Sequence, residues 1–238
     1  MHPLDNPIWQ ALVTTHALFA ETCNAARRFP REVSVLGGFS EPTLENYASL
    51  AALLSPDERI GLFLQAPPDP PASWIVVNTG PMFQMLFKNG NSSRSAALSN
   101  GGQSTPEFIR LTQSDVPEML ALTKLTNPGP FGTRTYEMGD YFGIRMAGAL
   151  VAMAGERLRL PGYTEISAVC THPDHVGHGY ASALMTLLMD RIRSRGELPF
   201  LHVRSENARA VQVYEHLGFT KRALLYYAVL RHQTEQKS

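Results

Sequence analysis

Two segments of the chain carry residues whose types and spacing suit chemistry on a small ligand. In the first, a strand-like run ending at Thr171 leads through a turn containing Gly177 and Gly179 into a helical pattern. Glycine lets the main chain approach a ligand closely, and the first turn of a helix has N–H groups without partners inside the helix. Such a turn suits a pyrophosphate, although two glycines also occur where they only shape a turn.

The second segment is a helical pattern in which Asn207, Ala210, Tyr214 and Leu217 are spaced three, four and three residues apart. This spacing places them on one helical face, where a tyrosine hydroxyl could act as a general acid. A half-buried helix with Asn207 as its N-cap and Tyr214 as a core aromatic explains the same spacing. The spacing alone leaves both interpretations open.

Three histidines, His172, His175 and His178, follow one another at intervals of three, close to Cys170. They span a proline-containing turn in which their directions diverge, and no second His/Cys cluster is present in the sequence, so we predict no metal. A metal-dependent hydrolase is kept as an alternative function. A dinucleotide site is disfavoured because five residues separate the strand from its first glycine and Ser182 replaces the third small residue of that fingerprint.

An amine that is cationic at neutral pH needs a proton acceptor, commonly a carboxylate in direct reach or through one water. Glu165 is our candidate, because counting with period two places it on the same strand face as Val169 and Thr171. A solvated glutamate at a strand end is the plainer interpretation. Glu156 on the neighbouring strand is the alternate base, and a water chain would serve if neither carboxylate does.

Alternating strand and helix patterns in the second half would position these groups. We predict strands at 108–111, 141–145, 150–158, 163–171, 199–203 and 221–230, and helices from Ser114 or Asp115 to Leu122, at 179–195 and at 207–217. In the first half, helices are predicted at 9–20 and 44–54, and strands at 33–36, 74–77 and 82–87.

A segment rich in Gly, Ser and Asn divides the chain. We therefore predict an N-terminal accessory α/β region at 1–88, a linker at 89–106 and a catalytic domain at 107–238. The first half contains no catalytic motif. We expect it to pack on the second half, as an accessory unit or a degenerate copy of it. There it would shape the acceptor site or form part of a homodimer.

The ordered pair of motifs, Thr171-His-Pro173 with Gly177-His-Gly179-Tyr-Ala181, then Asn207 to Phe219, resembles the GNAT acyltransferase superfamily over residues 107–231. The resemblance implies a mixed α+β fold: a bent, mostly antiparallel sheet with splayed central strands, flanked by helices. It further implies an acetyl-CoA-dependent N-acetyltransferase that transfers the acetyl group directly to an amine, in a small molecule or at a peptide or protein N-terminus. A CoA-binding module that has lost catalysis is an alternative.

The resemblance also implies roles for individual residues. Tyr214 would protonate the leaving thiolate, and the acetyl-CoA cosubstrate would be held by the turn, the strand edge and the second helix. The implied cofactor residues are Val169, Cys170, Thr171, Gly177, His178, Gly179, Tyr180, Ala181, Asn207, Ala210 and Tyr214. Phe131, Arg134 and Tyr136 would line the acceptor cleft, or would only close their loop against the sheet. Asp174, and Val176 where a basic residue is common, depart from the family pattern but leave the backbone amides unaffected.

Composition limits the other classes of function. With 21 Lys+Arg and 21 Asp+Glu the chain has no net charge, which argues against nucleic acid as a partner. Residues 175–231 nevertheless contain eight Lys or Arg against four Asp or Glu, a local surplus that suits a small polyanion. Without a signal sequence or an apolar run long enough to span a membrane, we expect a soluble, cytoplasmic protein that does not bind membranes.

Overall fold

The computed structural model describes residues 2–88 and 106–233. The predicted linker at 89–106 therefore lies outside the described residues except for Pro106. The strands within the described ranges are β1 (Glu21–Cys23), β2 (Ala26–Arg28), β3 (Gly37–Phe39), β4 (Arg59–Leu64), β5 (Trp74–Phe87), β6 (Ile109–Arg110), β7 (Tyr141–Met146), β8 (Ala149–Leu160), β9 (Tyr163–Thr171), β10 (Leu198–Arg204) and β11 (Phe219–His232). The α-helices are α1 (Pro7–Val13), α2 (Leu44–Ala51), α3 (Val116–Thr126), α4 (Tyr180–Ser194) and α5 (Ala208–His216).

Eight strands form one sheet in the order β4-β11-β5-β10-β9-β8-β7-β6. Neighbours in it are antiparallel except β9 and β10, which run parallel. Strand β5 of the first half lies between β10 and β11 of the second, so the two halves of the chain share a sheet. The mixed α+β architecture predicted from the sequence is confirmed.

The three short strands β1, β2 and β3 form a second, antiparallel sheet. One parallel bridge, between Leu36 and Gly61, joins the end of this sheet to the β4 edge of the large one. The amide of Gly61 donates to the carbonyl of Val35 at 2.8 Å in the same place.

Strands β9 and β10 separate soon after they begin. Residues Tyr163–Glu165 pair with Leu198–Phe200, and beyond that point the two strands diverge. Their facing peptide groups then have no partner in the other strand, which leaves hydrogen-bonding capacity for a ligand. The gap between the two strands is therefore bordered by unpaired main-chain groups of the chain itself.

Helix α4 packs its apolar face on the sheet beside this gap. Leu184, Leu188 and Ile192 are fully buried, together with Leu201 of β10. Burying each such side chain contributes roughly 1.5–3 kcal/mol, so α4 is held firmly where the diverging strands need support. Helix α3 covers the opposite face through Met119.

Most predicted elements of the second half are confirmed, whereas the first half differs. The two strands predicted at 74–77 and 82–87 are one continuous strand, β5. Pro81 is accommodated within it because pairing with β10 begins only at Met82. The helix predicted at 9–20 ends at Val13, the strand predicted at 33–36 is replaced by β3, and β4 was not predicted at all.

Candidate functional site

A cleft of about 450 Å³ opens where β9 and β10 separate, and we call it the β9–β10 cleft. Its walls are the end of β9, the turn before α4, the first turns of α4, and α5. Most of the predicted cofactor residues line it: Val169, Thr171, Gly177, Gly179, Tyr180, Ala181, Asn207, Ala210 and Tyr214. Val176, Ser182 and Arg209 also line it.

Two of the predicted cofactor residues do not line the cleft with the others. The side chain of Cys170 is buried on the opposite face of the sheet, in a cluster with Met119 and Leu122. The ring of His178 stacks on Tyr180, with centroids 5.5 Å apart, and its Nδ1 lies 3.1 Å from the carbonyl oxygen of His175. Any contact of Cys170 with a ligand in the cleft would therefore involve its main chain.

The turn before α4 presents unpaired backbone donors to the cleft. The first hydrogen bond of the helix runs from the amide of Ala183 to the carbonyl of Gly179, and Gly179 has no side chain with which to cap the helix. The amides of Tyr180, Ala181 and Ser182 therefore lack helical partners. Gly177 and Gly179 have φ of +93° and +76°, and a Cβ on either would meet no protein atom within 4 Å, so the space in front of both is open. Such a donor set fits an anionic phosphate group.

Charge in the β9–β10 cleft also suits an anion. Arg209 lines it, and its described lining includes no Asp or Glu. The acidic residue that departs from the family pattern, Asp174, is exposed and lies close to His172 rather than in the cleft lining. An anion in this cleft would thus meet backbone donors and positive charge without an opposing carboxylate.

Tyr214 lines the cleft from α5. Burial raises the pKa of its hydroxyl to about 12, so the group keeps its proton at physiological pH. On the same helix, the side chain of Asn207 accepts a hydrogen bond from the amide of Ala210 at 3.1 Å and forms the N-cap. Asn207 thus fulfils the structural role predicted for it while its side chain also borders the cleft.

Glu165 does not lie on the cleft face of β9. Residue Ala168 has φ of +53°, which produces a bulge and reverses the alternation of side chains along the strand. As a result Ile166 and Val169 both pack toward α4, while Ala168 and Cys170 pack toward α3. The prediction that Glu165 shares a face with Val169 and Thr171 is wrong, because period-two counting fails across this bulge.

The carboxylate of Glu165 is fully buried and held by several donors. Arg157 Nε and Nη2 donate to it at 2.9 and 2.6 Å, and His202 Nδ1 lies 2.7 Å from Oε1. Burial by itself would raise the pKa of Glu165, but the charge of Arg157 and the His202 contact outweigh it and hold the pKa at about 2. A carboxylate so strongly stabilised in its ionised form is a weak proton acceptor.

The alternate base, Glu156, is also engaged elsewhere. Its side chain is buried and lies 2.7 Å from Arg195 Nη2, and it is absent from the cleft lining. Neither carboxylate considered from the sequence therefore faces the β9–β10 cleft.

The residues predicted to bind the acceptor lie in the segment between α3 and β7. Phe131 packs edge-to-face against Tyr141, with ring centroids 5.6 Å apart, and Tyr136 belongs to the same cluster. Arg134 is exposed and forms a two-point ion pair with Glu137 at 2.8 and 2.7 Å. The hydroxyl of Tyr141 is buried and has no hydrogen-bond partner in the described structure, a feature that the sequence did not reveal.

Two further observations concern the described residues alone. No group of three His, Cys, Asp or Glu side chains in them is arranged to hold a metal ion, and the rings of His172, His175 and His178 follow one another at 5.9 and 6.4 Å between centroids. No described helix is long and apolar enough to cross a membrane.

Comparison with known proteins identifies the family. A family model described as FR47-like protein matches residues 141–228. The crystal structure of a putative GNAT-family acetyltransferase from Novosphingobium aromaticivorans is 33% identical, covers 98% of this chain and 100% of its own, and superposes with a TM-score of 0.87.

Two curated relatives match less than half of the chain. The ribosomal protein bS18-alanine N-acetyltransferase of Escherichia coli is 26% identical over 117 residues, which are 47% of this chain and 78% of the relative. The N-alpha-acetyltransferase RimI of Mycobacterium tuberculosis is 35% identical over 94 residues, which are 37% of this chain and 58% of that protein. With this fold and these relatives, the chain belongs to the GNAT family, whose members are N-acetyltransferases that transfer an acetyl group from acetyl-CoA to an amine.

Proposed function

We propose that the β9–β10 cleft binds acetyl-CoA and that Tyr214 is the general acid of direct acetyl transfer to an amine. The observation that carries this proposal is the convergence of three features in one cleft. These are the edge of β9 left open beyond its pairing with β10, the unpaired amides of the first turn of α4, and the protonated hydroxyl of Tyr214. When bound, acetyl-CoA supplies a thioester acyl group with a thiolate leaving group.

Each wall of the cleft has a part in holding the cosubstrate. The main chain of Val169, Cys170 and Thr171 pairs with the pantetheine arm along the open edge of β9. The amides from Gly177 through Ala181 bind the pyrophosphate at the start of α4. Asn207 and Ala210 border the arm from α5, and the small side chain of Ala210 leaves room for it.

The acid step follows from the state of Tyr214. As the amine nitrogen bonds to the thioester carbonyl carbon and the C–S bond breaks, the Tyr214 hydroxyl donates its proton to the departing sulfur. The raised pKa means that the hydroxyl is almost wholly protonated before each turnover. Solvent then returns the proton to Tyr214.

The proton of the cationic amine needs a separate acceptor. Because Glu165 and Glu156 are buried in ion pairs away from the cleft, we propose that water accepts this proton rather than a carboxylate. A water chain was the third option that the sequence left open for the proton acceptor. The buried ion pairs of Glu165 and Glu156 favour it over a carboxylate base.

For the acceptor we propose an amine on a small molecule or at a peptide or protein N-terminus, approaching past Phe131, Arg134 and Tyr136. The exposed guanidinium of Arg134 beside two aromatic side chains suits a chain end or a small polar amine. One of the two curated relatives is an alanine N-acetyltransferase of a ribosomal protein and the other is an N-alpha-acetyltransferase, which supports including peptides with N-terminal alanine among the acceptors to be tested.

The experiment combines ligand binding with turnover. Acetyl-CoA, CoA and Zn²⁺ are compared by thermal shift, since a ligand that binds only the folded state raises the apparent stability. Free-thiol release is then followed with acetyl-CoA across a panel of small amines and short peptides. We expect stabilisation by both CoA species and thiol release with at least one class of amine; no stabilisation by either would refute the proposal.

A second candidate, a CoA-binding module without catalysis, is favoured by one observation: the described lining of the cleft offers no carboxylate base. Stabilisation by CoA without thiol release from any amine would support it. We further propose that the enzyme works in the cytoplasm, does not bind nucleic acid, and forms a homodimer, which light scattering of the purified chain would test.

A further inference from the structure

The strand pairing of the first half repeats that of the second. Along the chain, β1 and β2 pair antiparallel, β2 and β3 pair antiparallel, and β3 and β4 meet through the parallel Leu36–Gly61 bridge. In the second half β7 and β8, then β8 and β9, pair antiparallel, and β9 and β10 pair in parallel. In both halves a helix, α2 or α4, connects the two parallel strands.

The remaining two strands, β5 and β11, complete this symmetry because each also pairs with a strand of the other half. Strand β4 pairs with β11 of the second half, and β10 pairs with β5 of the first, while β5 and β11 pair with each other. Outward from the β5–β11 pair, the strands follow in the order β4, β3, β2, β1 on one side and β10, β9, β8, β7 on the other. Each strand from β1 to β4 therefore has a counterpart in the second half. The first half is a shortened copy of the acyltransferase fold.

This copy contains a cleft in the corresponding place. Beyond the Leu36–Gly61 bridge, β3 and β4 diverge around a cavity of about 470 Å³, which we call the β3–β4 cleft. Its walls are β3, the loop before α2, Tyr47 of α2, β4, and the loop after β4. In the order of elements, their counterparts are β9, the turn before α4, α4, β10, and the segment after β10 that contains α5. None of the residues lining one cleft lines the other.

The features that bind phosphate in the β9–β10 cleft are missing from this one. The loop before α2 contains Glu41 and Pro42 in place of the glycine turn. At the start of α2, the hydroxyl of Thr43 accepts the hydrogen bond of the Asn46 amide at 3.2 Å, which caps the helix from within. A pyrophosphate would find fewer donors here and would face the carboxylate of Glu41.

The charge of the two clefts is opposite. Asp5, Glu41 and Asp69 line the β3–β4 cleft, and its described lining includes no Lys, Arg or His. Asp5 is neutralised by an ion pair with Arg222, whereas Glu41 and Asp69 form no ion pair among the described residues. Both are exposed at the rim, so each is free to meet a ligand.

Apolar side chains supply much of the remaining lining. Phe63, Leu64, Ala66 and Pro67 line the same cavity. Phe39 and Tyr47 border it as well, but both are almost fully buried, and they pack edge-to-face with centroids 4.9 Å apart. The cleft therefore combines negative charge at its rim with an apolar interior.

We propose that the β3–β4 cleft is a second ligand site, which binds an organic ammonium ion with an aromatic or apolar body and does not bind CoA. The ammonium group lies between Glu41 and Asp69, and the body of the ligand packs against Phe63, Leu64 and Pro67. The site is independent of acetyl transfer in the β9–β10 cleft.

Isothermal titration calorimetry of the full chain tests this with three probes of one shape: 2-phenylethylammonium, 2-phenylethanol and phenylacetate. We expect the ammonium to bind more tightly than the alcohol and the carboxylate to bind least. Saturating the protein with CoA beforehand should leave the ammonium affinity unchanged. Absence of ammonium binding, equal affinity for the alcohol, or displacement of the ammonium by CoA would each overturn the proposal.

Variants locate the site. Glu41→Gln and Asp69→Asn should each weaken ammonium binding by about fivefold, the size expected of a partly exposed ion pair. Glu45→Gln, which alters an exposed carboxylate on the adjacent α2 outside the cleft lining, is the matched control and should bind normally. All three should bind CoA like the unmodified chain; ammonium binding that is unaffected by both cleft substitutions would refute the assignment even if the acetyl-transfer proposal held.

Discussion

His202 Nδ1 lies 2.7 Å from Glu165 Oε1, across the point at which β9 and β10 part. The neighbouring Gln84 fixes the orientation of the His202 ring. Arg222 donates to Gln84 Oε1 at 2.7 Å, and Gln84 Nε2 donates to the carbonyl of Leu4 at 2.9 Å and lies 3.0 Å from His202 Nε2. Held in this way, the ring directs Nδ1 at Glu165, and the contact links β9 and β10 at the point where they separate.

This arrangement predicts that Glu165 matters for stability, with a definite pH dependence. The pKa of Glu165 is about 2 in the folded chain against an ordinary value of 4.5. A lowered folded-state pKa stabilises the fold above pH 4.5, and this contribution, about 3 kcal/mol, disappears as the pH falls from 4.5 through 2. Glu165→Gln should therefore lower the free energy of unfolding by about 3 kcal/mol at pH 7, since it leaves Arg157 buried without its counter-charge.

Urea unfolding of both proteins between pH 7 and pH 3 measures this effect. The difference between them should narrow as the pH falls below 4.5. Glu137→Gln, which breaks the more exposed pair with Arg134, is the control and should change stability little. A difference that does not depend on pH would show that the charge of Glu165 is not what stabilises the fold.

The turn before α4 predicts a separation of CoA binding from stability. Gly179 and Gly196 have nearly the same conformation, with φ of +76° and +77°, and an added Cβ would touch nothing in the protein at either position. Alanine at each should cost about 1 kcal/mol of backbone strain. Only Gly179→Ala places a methyl group in the β9–β10 cleft, so it alone should weaken CoA binding, by about tenfold or more.

Calorimetric titration with CoA, alongside thermal unfolding, gives both quantities for each variant. Equal loss of CoA affinity in Gly179→Ala and Gly196→Ala would indicate a general loss of structure. It would remove the support for a pyrophosphate site at this turn.

Local signals in the sequence were enough to predict most of the residues that line the β9–β10 cleft. They were not enough to predict which face of the sheet Glu165 occupies. The glycines at 177 and 179 and the spacing from Asn207 to Tyr214 act within single elements, so their positions follow from local geometry. The side-chain direction of Glu165 depends on a bulge at Ala168, and alanine carries no signal for positive φ. The place of β5 between β10 and β11 depends on contacts between residues more than a hundred positions apart, which no local pattern contains.

The absence of a carboxylate from the described cleft lining predicts how the rate depends on pH. If water accepts the proton of the amine, the rising limb of kcat/KM reports the loss of that proton by the acceptor. We therefore expect the limb to move to higher pH when an acceptor with a more basic amine is used. A limb that stays at the same pH for acceptors of different basicity would point to a titrating group of the enzyme, and water would no longer be the proton acceptor.

Tyr214 gives the most direct test of the chemical step. Replacing it with phenylalanine removes the proton donor but keeps the ring that packs near Phe219, with centroids 6.3 Å apart. Loss of a general acid lowers turnover by about a hundredfold, and the KM for acetyl-CoA should change little. Tyr226→Phe, which removes a hydroxyl from β11 outside the cleft lining, should leave the rate unchanged. Measuring thiol release at saturating amine separates the two parameters, and a Tyr214→Phe enzyme with unaltered kcat would exclude this hydroxyl as the acid.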